Sequence, residues 1–122
     1  MRLTKNIWRK EVACKCGCGF DTIDFETIQV VQECCNHFAA QIGVDKVSLH
    51  VNSAARCKDH NKAIGGSPKS QHVYGRAMDI VIDGIKPADV YEYLVTTYPD
   101  RYGIGNYASF THIDTRSGVA RW

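Results

Sequence analysis

The chain has 122 residues, of which 44% are hydrophobic and 23% charged, a composition typical of one globular domain over residues 1–122. Its formal net charge is only +2, and four basic residues fall in the first ten positions, so the remainder lacks the basic surface that nucleic-acid binding requires. No apolar run approaches the roughly 18 residues that span a bilayer, so we expect no membrane insertion.

Residues 1–20 form a basic, cysteine-rich amino-terminal segment. The segment has no apolar stretch of the kind that follows the charged start of a secretory signal. We therefore expect a protein that is made in the cytoplasm without a signal peptide. The charges favour a solvated tail, and the alternative is a segment that binds an anionic surface such as a bacterial wall.

The first half of the chain predicts one helix, one strand and a long loop. Over residues 24–42, apolar side chains recur at steps of three and four, which indicates an amphipathic helix with Gly43 suited to its C-cap. Residues 47–51 alternate apolar and polar side chains, as a half-buried strand does. Residues 53–74 lose this pattern, and a loop of that length is usually functional.

The second half predicts a second buried strand at residues 78–82 and a helix that begins at Pro87 and ends before Pro99. Two short strands are expected near residues 102–105 and 110–114. This order of elements predicts an α+β fold with a mainly antiparallel sheet and helices packed on one face.

His72, Asp79 and His112 are the candidate metal ligands. His72 ends the long loop, Asp79 starts a buried strand, and His112 lies on a strand near the end of the chain. Two histidines and one carboxylate from separate elements suit a catalytic zinc, because the fourth tetrahedral position stays open for water. A structural zinc would instead be closed by four protein ligands.

The residues around these ligands resemble the zinc D-alanyl-D-alanine carboxypeptidases and related peptidoglycan endopeptidases (peptidase M15-like), including phage endolysins, whose fold the hedgehog signalling domain shares. The family's serine, histidine, glycine, alanine and aspartate have the spacing of Ser70, His72, Gly75, Ala77 and Asp79. Other matching positions are Asn52-Ser53-Ala54-Ala55-Arg56, Asn61, Gly65-Gly66, Gly103-Ile104-Gly105-Asn106-Tyr107, Phe110, His112, Asp114, Arg116 and Arg121-Trp122. The resemblance covers residues 47–122 and is to the compact, prophage-type branch.

The resemblance implies that His72, Asp79 and His112 hold one catalytic Zn²⁺. In the family this ion polarises the scissile carbonyl and lowers the pKa of its bound water toward about 7. Arg56 matches an arginine that faces the carbonyl or carboxylate of the substrate, and a guanidinium suits the stabilisation of an oxyanion. Ser70 matches a serine that hydrogen-bonds the substrate.

The chain departs from the family at the general base. Many members carry a glutamate three residues, or a histidine two residues, before the last zinc histidine, where this chain has Ser109 and Phe110. Asp114 is our candidate for this catalytic role, because on a strand it faces the same side as His112. The alternative is that Asp114 orients a zinc histidine.

Six cysteines leave more than one interpretation open. Cys14, Cys16 and Cys18 lie in a glycine-rich stretch, and their spacing is not that of the usual zinc knuckle. We expect reduced thiols in a turn there, with a second, structural metal or disulfides as the alternatives. Cys35 belongs to the apolar stripe of the first helix and is expected to be a small core residue.

The resemblance, together with the three candidate ligands, implies a zinc metallopeptidase that hydrolyses amide bonds in the stem peptides of bacterial peptidoglycan, as a carboxypeptidase or an endopeptidase of the endolysin type. We expect a monomer that acts at the bacterial cell wall during phage or prophage release. Two alternatives remain open: a catalytically silent, zinc-containing module that binds the wall, and a virion-associated structural protein.

Overall fold

A computed structural model describes all residues of the chain, 1–122. Its elements are α1 (Arg9–Val12), α2 (Phe25–Ile42), β1 (Leu49–Ser53), α3 (Lys58–Ala63), β2 (Ala77–Ile82), α4 (Pro87–Thr97), β3 (Tyr102–Asn106), β4 (Thr111–Asp114) and β5 (Val119–Arg121). The five strands form one sheet in the order β1-β2-β4-β3-β5. All neighbours are antiparallel except β3 and β5, so the α+β fold with a mainly antiparallel sheet is confirmed.

The helix α2 begins and ends where the sequence predicts. The Asp24 side chain accepts a hydrogen bond from the backbone N–H of Glu26, which satisfies one of the free donors of the first turn. Gly43 ends the helix in the left-handed conformation, with φ 76°, and its N–H bonds the carbonyl of Ala39. Neither α2, the longest helix, nor any other has the length and apolar character needed to cross a membrane.

The sheet separates the core from the candidate site, because successive residues of a strand point to opposite faces. On β2, Met78, Ile80 and Ile82 lie in the hydrophobic core, which places Asp79 on the other face. On β4, Ile113 lies in the same core. Its neighbours His112 and Asp114 therefore share the face of Asp79.

The helix α4 covers the core face of the sheet together with α2. It begins with Pro87 at its first turn, and Val90 and Leu94 are buried against the core. The Thr111 hydroxyl of β4 donates to the carbonyl of Pro87 at 3.0 Å, which fastens the start of the helix to the sheet. Helices on one face, as predicted, leave the opposite face free for other chemistry.

Three short elements were not predicted. The loop of residues 53–74 contains α3, whose six residues are mostly polar and show no apolar stripe. The strand β5 has three residues and pairs in parallel with β3, a non-local contact that has no signal in its own sequence. The third element, α1, is a single turn of four residues.

The prediction that the amino-terminal segment is a solvated tail is wrong. Ile7 and Val12 are completely buried in the core. The Asn6 side chain donates to the carbonyl of Val47 at 2.7 Å, which fixes the segment beside the start of β1. The charges were misleading because they lie on the outer side, where Arg9 forms an ion pair with Asp21 at 2.6 Å.

We expect Ile7→Ala to destabilise the whole domain, because it removes a fully buried side chain and leaves a cavity. The free energy of unfolding, measured by urea denaturation, should fall by about 2 to 5 kcal/mol. The matched control is Lys10→Ala in the same segment, where the side chain is exposed and the change should stay within about 0.5 kcal/mol. If Ile7→Ala had an effect as small as that of the control, the amino-terminal segment would be a solvated tail after all.

Candidate metal centre

Three elements bring His72, Asp79 and His112 together. Asp79 lies directly opposite His112 in the register of β2 and β4, and its Oδ1 is 2.8 Å from His112 Nδ1. His72 enters from the long loop, with its Nε2 at 3.1 Å from Asp79 Oδ2. The candidate ligand atoms all lie within 4.8 Å of one another, and all three side chains are nearly buried.

This donor set fits a zinc ion. Two imidazoles and one carboxylate supply three ligands and leave one tetrahedral position for solvent or substrate. The nitrogen of each ring that points away from the group is also held: His72 Nδ1 bonds the carbonyl of Ala54 at 2.8 Å, and His112 Nε2 bonds Asp114 at 2.7 Å. Such hydrogen bonds fix the orientation and tautomer of a histidine that binds a metal.

The electrostatics of the group favour a bound cation. Burial by itself would raise the pKa of Asp79, but hydrogen bonds from His112 and His72 outweigh burial and lower this pKa to about 2. Burial works against a charged His112, yet Asp114 and Asp79 raise the pKa of this histidine above its ordinary value. The negative field that favours an added proton here would also favour a divalent cation in its place.

Asp114 contacts His112, but from the far side of the ring. Its Oδ2 lies 2.7 Å from Nε2, whereas Nδ1 of the same imidazole faces Asp79. Arg116 donates to both oxygens of Asp114 at 2.7 Å, and the carboxylate is completely buried. Burial would raise the pKa of Asp114, but the bonds from Arg116 and His112 hold it well below its usual range.

These contacts change the prediction for Asp114. A general base must come within hydrogen-bonding reach of the proton that it removes, directly or through one water. The carboxylate of Asp114 is instead occupied by Arg116 and separated from the ligand atoms by the ring of His112. The surroundings of Asp114 therefore do not support the role of catalytic base, and they favour the alternative in which it orients His112.

Arg56 lies beside the three ligands with part of its guanidinium unpaired. Its side chain donates to Asn61 at 3.0 Å and to Ser53 at 2.9 Å, while its Nε is buried without a hydrogen-bond partner. The backbone N–H of Arg56 donates to the carbonyl of His72 at 3.1 Å, which ties the two residues together. Each terminal nitrogen of the guanidinium carries two hydrogens and makes one of these bonds, so Arg56, which lines the cleft, keeps further donors for a ligand.

Ser70 lies in the turn that leads to His72. Its hydroxyl oxygen accepts a hydrogen bond from the backbone N–H of His72 at 3.3 Å. Its own N–H donates to the carbonyl of Ser67 at 2.9 Å. Ser70 and Arg56 both line the cleft that contains the ligands, as do Asp79 and His112.

The cleft has a volume of about 520 Å³ and a cationic, partly aromatic wall. The basic residues Arg56, Lys69 and Arg116 line it, whereas Asp79 is its one acidic residue. The rim is aromatic, with Tyr107 and Phe110 stacked at a centroid distance of 4.3 Å and Trp122 at 5.1 Å from the ring of His112.

Sequence reasoning assigned no role to the residues that make room for this wall. Gly103 lies opposite Asp114 in the β3–β4 register, and a Cβ there would come within 2.5 Å of the Asp114 oxygens and of the Arg116 side chain. Gly105 lies opposite His112, and a Cβ there would meet the indole of Trp122 at 2.6 Å. Two glycines on alternate positions of a strand were the available signal.

Comparison with known proteins agrees with this arrangement. The chain matches the family described as Peptidase M15 over residues 5–114, so the match begins within the amino-terminal segment and not only at the metal motif. No curated protein and no solved structure matches the chain. The match spans most of the sequence and includes His72, Asp79 and His112, which the fold brings together. On this basis, the chain belongs to the peptidase M15 family, whose members are generally zinc-dependent metallopeptidases.

Proposed function

We propose that this protein is a zinc-dependent peptidase that hydrolyses amide bonds in the stem peptides of bacterial peptidoglycan, acting as a monomer at the cell wall. The observation that carries the proposal is the convergence of His72, Asp79 and His112 at a cationic cleft beside Arg56. Family membership supports the peptidase activity. The nature of the cleft supports the class of substrate.

Each side chain of the site has a separate task. A zinc ion held by His72, Asp79 and His112 supplies Lewis-acid activation of a carbonyl and of water. The guanidinium of Arg56, which lines the cleft, donates to the oxygen of the substrate on which negative charge develops. The hydroxyl of Ser70 accepts from the backbone and keeps its own hydrogen free for a substrate carbonyl.

Asp114 acts as a positioning residue in this proposal. Its carboxylate accepts a hydrogen bond from the N–H at Nε2 of His112, which leaves the lone pair of Nδ1 directed at the ligand group. Arg116 in turn fixes both oxygens of Asp114 and neutralises its charge. The tautomer of His112 is thereby fixed by its hydrogen bond to Asp114, before any ion binds.

The charge of the cleft favours a peptide that carries carboxylates. Arg116 is paired with Asp114, but Arg56 and Lys69 remain as positive residues of the lining, and its one acidic residue, Asp79, is itself a candidate ligand. Peptidoglycan stem peptides present such groups at their D-alanine ends and on acidic side chains. The aromatic rim formed by Tyr107, Phe110 and Trp122 offers flat surfaces for the peptide backbone.

A second candidate function is a zinc-containing module that binds the wall without cutting it. The observation that favours it is the composition of the cleft, in which no carboxylate other than Asp79 is present to take a proton from water. Arg56 and Ser70 would hydrogen-bond the peptide in the same way in both candidate functions. The two functions differ in whether bound peptides are turned over.

The first test is incubation of the zinc-loaded protein with purified muropeptides, followed by mass spectrometry of the products. We expect new free amines, loss of activity after treatment with a chelator, and recovery on addition of zinc. His112→Ala should be inactive because it removes a ligand. The contrary outcome is a wild-type protein that retains zinc and binds muropeptides but releases no new amine. That result would contradict hydrolysis and support the zinc-containing binding module.

The second test separates positioning from base catalysis at Asp114. We expect Asp114→Asn to weaken zinc binding by about 10- to 100-fold, as loss of a carboxylate behind a metal-binding histidine does. Competition with a chromogenic chelator measures this affinity. The control is Asp21→Asn, which makes the same chemical change at the ion pair with Arg9. Unchanged zinc affinity, with kcat reduced by about 10²- to 10⁴-fold, would instead identify a general base.

The third test concerns Arg56. We expect Arg56→Lys to lower kcat/KM by about 10²- to 10³-fold, because a lysine keeps the charge but loses the fixed fork of donors. Zinc content should not change, since Arg56 is not a ligand. Arg101→Lys, an exposed position outside the cleft, is the matched control. Activity of Arg56→Lys within twofold of wild type would remove Arg56 from the mechanism.

A further inference from the structure

The fold brings four of the six cysteines to one point away from the cleft. Cys14, Cys16 and Cys18 lie in the turn between α1 and α2, and Cys57 lies at the start of α3. Their four Sγ atoms all lie within 4.8 Å of one another. None of these residues lines the cleft that contains His72 and His112.

The distances between the thiols suit a tetrahedral metal. A zinc–sulfur bond is about 2.3 Å long, so two sulfurs of a tetrahedral site are about 3.8 Å apart. Cys16 Sγ lies 3.4 Å from Cys14 Sγ and 3.7 Å from Cys57 Sγ. A disulfide would need about 2.05 Å, and all four cysteines are free.

The local backbone explains why this unusual spacing converges. Gly17 and Gly19 both have positive φ, at 84° and 91°, so the chain curls and directs alternate cysteines inward. The N–H of Cys14 donates to the carbonyl of Phe20 at 2.7 Å and closes the turn. In a regular strand, cysteines with this spacing would also project from one face, but they would be spaced along the strand. The curled backbone instead brings their sulfur atoms together.

Backbone donors surround the sulfurs as well. The N–H of Cys57 donates to Cys14 Sγ at 3.4 Å, and the N–H of Phe20 to Cys18 Sγ at 3.5 Å. The N–H of His60 donates to Cys57 Sγ at 3.3 Å. Hydrogen bonds of this kind stabilise thiolates that bind a metal and fix their direction.

We propose that Cys14, Cys16, Cys18 and Cys57 bind one zinc ion, in a second site that is structural and distinct from the catalytic group. Four protein ligands close the coordination sphere and leave no position for a substrate. The ion would join the amino-terminal turn to a residue 43 positions beyond Cys14 in the sequence. Because Cys57 follows Arg56 directly, this site would also hold the beginning of the functional loop in place.

The two remaining cysteines provide an internal comparison. Cys34 and Cys35 lie in α2 and are completely buried in the apolar core. Burial raises the pKa of Cys35 to about 12, so this thiol is neutral and unreactive. In contrast, Cys16 and Cys18 are exposed, and unligated thiols there would be open to oxidation.

The experiment measures zinc per chain by elemental analysis of protein purified with a reductant that does not bind metals. We expect two zinc ions in wild type, one in His112→Ala, and one in the double variant Cys16→Ser/Cys18→Ser. The control Cys35→Ala removes a cysteine outside the group and should keep two. A mercurial reagent, which displaces metal from thiolates, should release one zinc from wild type and from His112→Ala but none from the double variant.

A second measurement does not depend on the folding of the cysteine variants. His112→Ala loaded with cobalt(II) should show the thiolate-to-cobalt charge-transfer absorption of a site with sulfur ligands. The proposal is overturned if His112→Ala binds no zinc, or if iron replaces zinc in the isolated protein. It is also overturned if peptide mass analysis of protein isolated without reductant, with its free thiols alkylated, finds a disulfide among the four cysteines. Loss of peptidase activity with this zinc still present would affect only the proposed function.

Discussion

The candidate site depends on the pairing of β2 with β4 in the middle of the sheet. This register puts Asp79 directly opposite His112, while Ile80 and Ile113 enter the core on the other face. A slip of one residue in either strand would turn the ligand of that strand into the core and its isoleucine toward the opposite face. The burial of the apolar face therefore fixes the positions of the two ligands, and the site is stabilised by the same packing that stabilises the domain.

Around this pair the charges alternate in a continuous buried series. Arg116 binds Asp114, Asp114 binds His112, and His112 binds Asp79, which also contacts His72. Each carboxylate therefore has its counter-charge or hydrogen-bond donors, which avoids the large cost of an unpaired buried charge. Arg116 is the most exposed member of the series, and the contacts that orient the ligands come from the protein itself.

The start of the functional loop connects the two proposed sites. Arg56 faces the cleft and binds Asn61, and its neighbour Cys57 faces the three amino-terminal cysteines. The family match begins at residue 5, so the segment that carries these cysteines belongs to the same domain as the ligands. A chain of 122 residues buries a limited core, and a structural metal is one way in which small domains gain stability.

The sequence by itself determined the elements whose signals are local. Periodicity and caps located α2 and α4, alternation located the buried strands, and the spacing of His72, Asp79 and His112 with its neighbours indicated the family and the ligand set. These features are written within one helix turn, one strand or one short motif. They need no knowledge of distant partners.

Only the tertiary structure decided the rest, because each remaining feature depends on residues far apart in the chain. The burial of Ile7, the parallel pairing of β5 and the approach of Cys57 to the amino-terminal cysteines have no local pattern. The same holds for Asp114. The alternation of the strand predicted that it shares a face with His112, but not that it pairs with Arg116 and contacts His112 at Nε2. Local periodicity sets which side chains share a face, whereas packing sets which of them finally meet.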